Sequence, residues 1–202
     1  MKSRCVLVIP DAGPLNSLWT AGRLDLLMAL DMPIVVIDEI YAEVTSDPEH
    51  YAKDRELKAF LDSLSGHGLT VEETFVGQQA KLAREQGGFR SGRGLGDAAI
   101  AEFMSDGIQR YVTDSAPVLL LFEDADFRNV RFVRKPDNLH LLSTVAMLRA
   151  MERLGLIASA DAIIASMTNP DDTAKRPRAF RDLPDGYEDE ALVGSTWAPA
   201  RG

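Results

Sequence analysis

Four acids carry the chemistry this sequence could perform: Asp11, Glu43, Asp97 and Asp114. Asp11 ends the apolar run Cys5-Val-Leu-Val-Ile-Pro10, and Asp114 ends Ile108-Gln-Arg-Tyr-Val-Thr113. Asp97 opens a predicted helix after a glycine-rich loop, and Glu43 sits on an early helix with Ile40 and Val44. Acids at strand ends and helix starts can converge at one edge of a sheet, and open parallel sheets bind their ligands at the carboxyl ends of the strands. Converging carboxylates with no basic partner nearby in sequence suit a hard divalent ion, Mg²⁺ or Mn²⁺, which prefers oxygen ligands. One or two such ions would polarise a phosphodiester and generate hydroxide from a bound water. Each acid also has a plainer reading. Asp11 before Ala-Gly-Pro14 fits a helix cap, Asp97 fits another, and Thr113-Asp114-Ser115 fits a turn. Glu43 is harder to explain away, because a carboxylate near buried surface needs a partner or a metal. Glu39, one turn earlier, competes with it. His50, His67 and His140 are scattered, so no zinc-type cluster stands out.

The elements that must position these acids follow from the apolar pattern. Short apolar runs predict strands over 5–10, 33–37, 69–71, 108–113 and 129–133. Helical spacing predicts helices from Pro14 to Gly22, over 24–28, after Asp38, over 52–64 and 77–86, from Asp97 to about 106, and over 141–154 and 160–167. Pro117 to Glu123 is apolar and fits either type. Strands alternating with helices predict an α/β fold: three layers around a central, mainly parallel sheet flanked by helices. Residues 1–168 read as this one domain, and 169–202, rich in Pro, Asp, Arg and Gly, as an irregular C-terminal extension.

The bulk numbers narrow the function classes. The chain has 202 residues, 46% of them hydrophobic, and a net charge of −9. An acidic balance excludes a protein that coats nucleic acid through a broad basic surface. It leaves room for a nuclease, because bound cations offset acids at a metal site. Arg90 and Arg93, in the loop before Asp97, are the candidate contacts to an RNA backbone. No apolar stretch reaches the ~20 residues of a membrane span, and the N-terminal run is too short for a signal-peptide core. The lone Cys5 allows no internal disulfide, which fits a cytoplasmic protein. Its place in a predicted strand fits buried packing rather than reactivity.

The acids lie in blocks that resemble the PIN-domain family, closest to the prokaryotic branch related to VapC-type toxins. Val8-Ile-Pro-Asp-Ala-Gly-Pro-Leu15 with Gly22-Arg-Leu-Asp-Leu-Leu27 is similar to the family's opening. Val36-Ile-Asp-Glu-Ile-Tyr-Ala-Glu-Val44 resembles its second block, with the acid at Glu43. Gly94-Leu-Gly-Asp-Ala-Ala-Ile-Ala101 resembles the third, with Asp97, and Val112-Thr-Asp114 the fourth. Leu148 to Ile157 is similar to the closing helix. The resemblance covers roughly residues 5–160. It implies a metal-dependent ribonuclease acting on single-stranded RNA, with products bearing a 5′-phosphate and a 3′-hydroxyl. It further implies the toxin of a toxin–antitoxin pair, hence an antitoxin partner and a homodimer. Asp11, Glu43, Asp97 and Asp114 would bind the metal, and Thr113 would orient Asp114 or a water. The family commonly has a hydroxyl residue directly after its first Asp, where this chain has Ala12-Gly13. The stretch from Ser115 to Arg134 is longer than the family pattern, and one of its acids, Glu123, Asp124 or Asp126, could replace or supplement Asp114. A PIN-fold binding module with weak or no catalysis is the competing expectation. A haloacid-dehalogenase-type phosphatase needs a second Asp at position 13, where this chain has glycine.

Overall fold

Runs of valine, isoleucine and leucine form strands that are buried on both faces, as central strands of a parallel sheet must be. The computed structural model describes residues 5–9, 11–66, 68–87, 94–112, 117–123, 138–172 and 175. The strands are β1 (Val6–Ile9), β2 (Ile34–Ile37), β3 (Leu69–Glu72), β4 (Val118–Phe122) and β5 (Leu139–Ser143). They form one sheet in the order β3-β2-β1-β4-β5, with every pairing parallel. Helices cover both sides, which gives the expected three-layer α/β fold. They are α1 (Ala12–Thr20), α2 (Asp25–Ala29), α3 (Asp38–Val44), α4 (Ala52–Leu64), α5 (Phe75–Glu85), α6 (Leu95–Glu102), α7 (Gln109–Val112), α8 (Thr144–Arg153) and α9 (Ala160–Thr168). Leu7, Val8, Ile9 and all five residues of β4 are fully buried at the centre of the core.

The strand order sets where a site can form. From β1 the chain winds outward through β2 and β3, then returns to add β4 and β5 on the other flank. The strand order runs from β1 to β2 and β3 on one side and from β4 to β5 on the other, so the carboxyl ends of β1 and β4 lie at the switch point of the sheet, where a crevice opens. Leu7 pairs with Leu119 and Val8 with Leu120, so Asp11 and Glu123 stand at matching positions past the two strand ends.

Two stretches differ from the sequence expectations, and a third that fitted either type proves to be a strand. Residues 109–112 are helical rather than extended: a π-helical segment, Phe103–Gly107, extends α6, and α7 follows it after a turn at Ile108. Tertiary contacts override the strand propensity here. Arg110 pairs with Glu72, and the Tyr111 hydroxyl donates to the same carboxylate at 2.7 Å, which ties α7 to the end of β3. Gly107 ends the π-helical segment, where it lets the backbone pass the Phe103 ring, 2.6 Å from where a Cβ would stand. The run Val118–Phe122 is the strand instead. The predicted helix over 141–154 begins only at Thr144, capped by Ser143, whose hydroxyl accepts from Ala146 N, and Leu139–Ser143 is an edge strand. Two neighbouring leucines, Leu141 and Leu142, suit both periods, and the pairing with β4 decides between them. The predicted strand over 129–133 lies outside the described residues, as does most of the 169–202 extension.

Asp38 fastens the helix that carries Glu39 and Glu43. Its carboxylate accepts from Thr74 N and Thr74 Oγ1, both at 2.9 Å, and from Glu39 N at 2.9 Å. The link joins the start of α3 to the start of α5, where Thr74 is the N-cap. Gly77 makes it spatially feasible, because a Cβ there would overlap the Asp38 carboxylate. Gly77→Ala is expected to cost ~1–3 kcal/mol of stability, the usual range for forced overpacking. Thermal unfolding of Gly77→Ala, Asp38→Ala and the double variant checks this. If the overlap is the cause, the double variant loses less than the sum of the singles.

Candidate functional site

Asp11 is placed by two backbone donors. It caps α1, with Oδ1 accepting from Gly13 N at 3.0 Å. Its Oδ2 accepts from Glu123 N at 2.8 Å, across the crevice between β1 and β4. The cap reading of the sequence is therefore right, and it coexists with a position at the carboxyl edge of the sheet. Gly13 fits between two acids: a Cβ there would lie 2.9 Å from Asp11 Oδ2 and 3.1 Å from Glu123 Oε2. Both carboxylates thus border one small volume that only glycine leaves open.

Glu123 is 1% exposed, and Ser17 Oγ donates to its Oε2 at 2.9 Å. Sequence reasoning named Glu123 only as a rival of Asp114 and missed Ser17. Both left a signal. Glu123 ends the apolar run of β4 as Asp11 ends that of β1. Ser17 is a polar residue on the buried face of α1, between Leu15 and Leu18, and such a residue needs a partner.

On α3 the two glutamates exchange the environments expected for them. Glu39 is the buried one, and Arg84 of α5 pairs with it at 2.5 Å. Glu43, one turn further, is exposed and makes no ion pair among the described residues. Both flank the buried Ile40 and Val44 stripe, but α5 covers only the Glu39 end. Crowding by surrounding protein raises the Glu43 carboxyl above its ordinary pKa, and the charges of Asp11, Asp97 and Glu39 add to the rise; Lys53 opposes it. Asp11 and Asp97 therefore both act on Glu43, although the three come from different elements.

Asp97 is the third residue of α6, not its cap. Gly94 holds the cap position with φ +95°, a left-handed conformation that glycine adopts without strain. The first turn of α6 faces α3: a Cβ on Gly96 would lie 3.8 Å from Glu43 Oε2. Glu39, Glu43, Arg84 and Asp97 line one open cleft of about 580 Å³. Asp114, Thr113, Arg90 and Arg93 lie outside the described residues, as do Asp124 and Asp126. Arg84 is a described cation on the cleft wall that the sequence did not single out. Of the remaining candidates, His50 pairs with Asp47 at 2.7 Å on the surface, and Cys5 is half-buried with its thiol pushed up to about 12 by burial.

Carboxylate oxygens suit Mg²⁺ or Mn²⁺. Both Asp11 oxygens accept from backbone donors, Oδ1 from Gly13 N and Oδ2 from Glu123 N. No three Asp, Glu, His or Cys side chains among the described residues are grouped closely enough to hold an ion as they stand. The donor chemistry fits; the described side chains would have to draw together, or be completed by an acid outside the described residues, to close around an ion.

Comparison of the chain with protein-family models, with curated proteins and with solved structures returns no match. The site is therefore read from its own residues, and the crowded carboxylate makes the first claim to check. Glu43 binds its proton more tightly in the folded chain than in the unfolded one, so at neutral pH its charge opposes folding. In buffer containing EDTA, Glu43→Gln should melt roughly 1–4 °C above wild type at pH 7. The advantage should be lost as pH falls through the raised pKa toward the ordinary 4.5, where wild type is itself protonated. A variant that melts at or below wild type at pH 7 would remove the proposed crowding.

Proposed function

We propose that this chain is a Mg²⁺- or Mn²⁺-dependent endoribonuclease, acting on single-stranded RNA from a PIN-like fold. One observation carries the reading: Glu43 of α3 and Asp97 of the first turn of α6 line one cleft, and the charges of Asp11, at the end of β1, and of Asp97 both push the Glu43 carboxyl up. Like charges gathered there cost stability, and proteins keep such an arrangement where a function uses it. The crevice beside Asp11 is also where an open parallel sheet binds its ligand. The resemblance of the surrounding blocks to PIN domains supports the same reading.

In this reading Asp11, Glu43 and Asp97 hold the ion, and Glu123 or Asp114 completes the set. A bound divalent ion supplies Lewis acidity toward a phosphodiester. The protein's own part is positioning. Gly13 N and Glu123 N fix the Asp11 carboxylate, Ser17 Oγ fixes Glu123, and the Glu39–Arg84 pair holds α3 against α5 so that Glu43 stays over the cleft. Thr113 would orient Asp114 or a water, and Arg90 and Arg93, with Arg84, would meet the RNA backbone. The toxin role, the antitoxin partner and the homodimer rest on the resemblance alone. Among the described residues no helix is long and apolar enough to cross a membrane.

A second reading, a PIN-fold binding module without catalysis, is favoured by one observation: no ready-made group of three ligands stands among the described residues. Two measurements separate the readings. With Mn²⁺ the wild type should cleave single-stranded RNA, and Asp97→Asn should lose ~100-fold or more of the rate. Equal residual activity in wild type and Asp11→Asn sinks the nuclease assignment. Saturating Mn²⁺, about 100 times its Kd, should stabilise the fold by about 3 kcal/mol, and EDTA should reverse it. An unmoved melting temperature favours the binding module.

Glu123→Gln against Asp114→Asn decides the fourth acid. If Glu123 supports Asp11 and the ion, Glu123→Gln folds but loses about 10- to 100-fold in activity. Full activity in that variant returns the role to Asp114.

A further inference from the structure

A second opening adjoins the acid cleft, and Ser46 lines both. It lies between α1 and the start of α4, encloses about 650 Å³, and is lined by Asn16, Trp19, Tyr51 and Lys53. That volume falls within the range of small-molecule sites, roughly 300–1,000 Å³. Three of its features are unexplained by folding. Tyr51 is 61% exposed, a large ring left on the surface beside a cavity. Asn16 Oδ1 is buried and finds no hydrogen-bond partner among the described residues. Buried polar atoms are nearly always paired, so an unpaired one on a residue that lines an opening stands out. Lys53 lines the opening in a chain of net charge −9, and Lys175 Nζ lies 5.3 Å from the centre of the Trp19 ring.

The occupant follows from this set. An aromatic surface takes a planar ring. An amide reads an edge with donors and acceptors, and serves whichever way it is flipped. Lysines take a phosphate. A nucleobase with its phosphate has all three. Trp19 itself is held, its indole N–H donating to Glu56 Oε2 at 2.9 Å, so it offers a fixed wall while Tyr51 offers the open stacking face. Lys53 is 3.4 Å from Asp54 Oδ1 and also acts on Glu43, so it stands between the two openings. A phosphate at Lys53 would bring the next linkage of the strand toward the acids.

We propose that this opening is a nucleobase subsite, which anchors the nucleotide adjoining the scissile phosphate of single-stranded RNA. The substrate class rests on the ribonuclease reading; the base-binding pocket does not. Trp19 and Trp197 are the two tryptophans of the chain, so in a Trp197→Phe background the fluorescence of Trp19 reports the pocket. Adenosine and uridine 5′-monophosphates should quench it saturably, and ribose 5-phosphate, which lacks the base, should not. Tyr51→Ala, at an exposed position, should weaken nucleotide binding by about tenfold, and Asn16→Ala should weaken it by several-fold. A short single-stranded RNA should compete for the same quench, which separates a strand-binding subsite from a site for free nucleotides alone. Quenching by ribose 5-phosphate equal to that by nucleotides, no effect of Tyr51→Ala, or no competition by RNA each overturns the proposal. Asp97→Asn separates it from the nuclease reading, since that variant should keep the quench and lose cleavage. Nucleotide quenching in a wild type that cleaves no RNA supports the pocket and removes the nuclease; cleavage without quenching keeps the nuclease and removes the pocket.

Discussion

The Asp11 carboxylate holds the carboxyl edge of the sheet together at β1 and β4. One oxygen starts α1 by accepting from Gly13 N, and the other reaches the neighbouring strand end through Glu123 N. A single side chain thus spans the crevice where the sheet reverses its winding, bonded at each oxygen to a backbone N–H. Glu123 then has a fixed place, Ser17 is turned toward it, and Gly13 is required because a side chain would fill the space between the two acids. Ala12-Gly13, which departs from the PIN-like pattern, has a local reason here.

A second set of contacts brings the other acids to that edge. Asp38 ties α3 to the turn before α5, and Glu102 of α6 accepts from Phe75 N and Val76 N at the start of α5. Glu39 and Arg84 join α3 to α5 once more. Together they fix α3, α5 and α6 as a unit. Glu43 and Asp97 then face each other across a cleft with Asp11 nearby. The buried acids Glu39 and Glu72 have cationic partners, whereas Glu43 has none as an ion pair among the described residues. This difference separates the acids that hold the fold from the one that is costly to it.

The central architecture was legible because it depends on short-range patterns. Cys5–Pro10 and Pro33–Ile37 could only be buried strands, 52–64 matched α4, and Gly22 and Gly155 closed α1 and α8 through the left-handed conformations their positions require. Where the pattern served two periods, the reading went astray. Ile108 to Val112 has strand-like residues but Gln109–Val112 is held as helix by Glu72, and Leu139 to Ser143 joins the sheet because β4 needed a partner. Those shifts move the strand end from Asp114 to Glu123. The acid that caps the second run is therefore a different residue from the one first picked out, although the rule that found it is the same.

By itself the sequence determined the fold class and the place of Asp11 at a strand end and of Glu43 and Asp97 on helices, because strand ends, turns and helix starts are encoded within a few residues. Only the tertiary structure decided which carboxylate is compensated and which is not. Glu39 and Glu43 have the same chemistry and nearly the same helical face, and Arg84, 45 positions from Glu39, reaches one of them. Glu123 and Ser17, 106 positions apart, became a pair only when β4 was laid beside β1. Electrostatics depends on distance through space, and no local pattern encodes that.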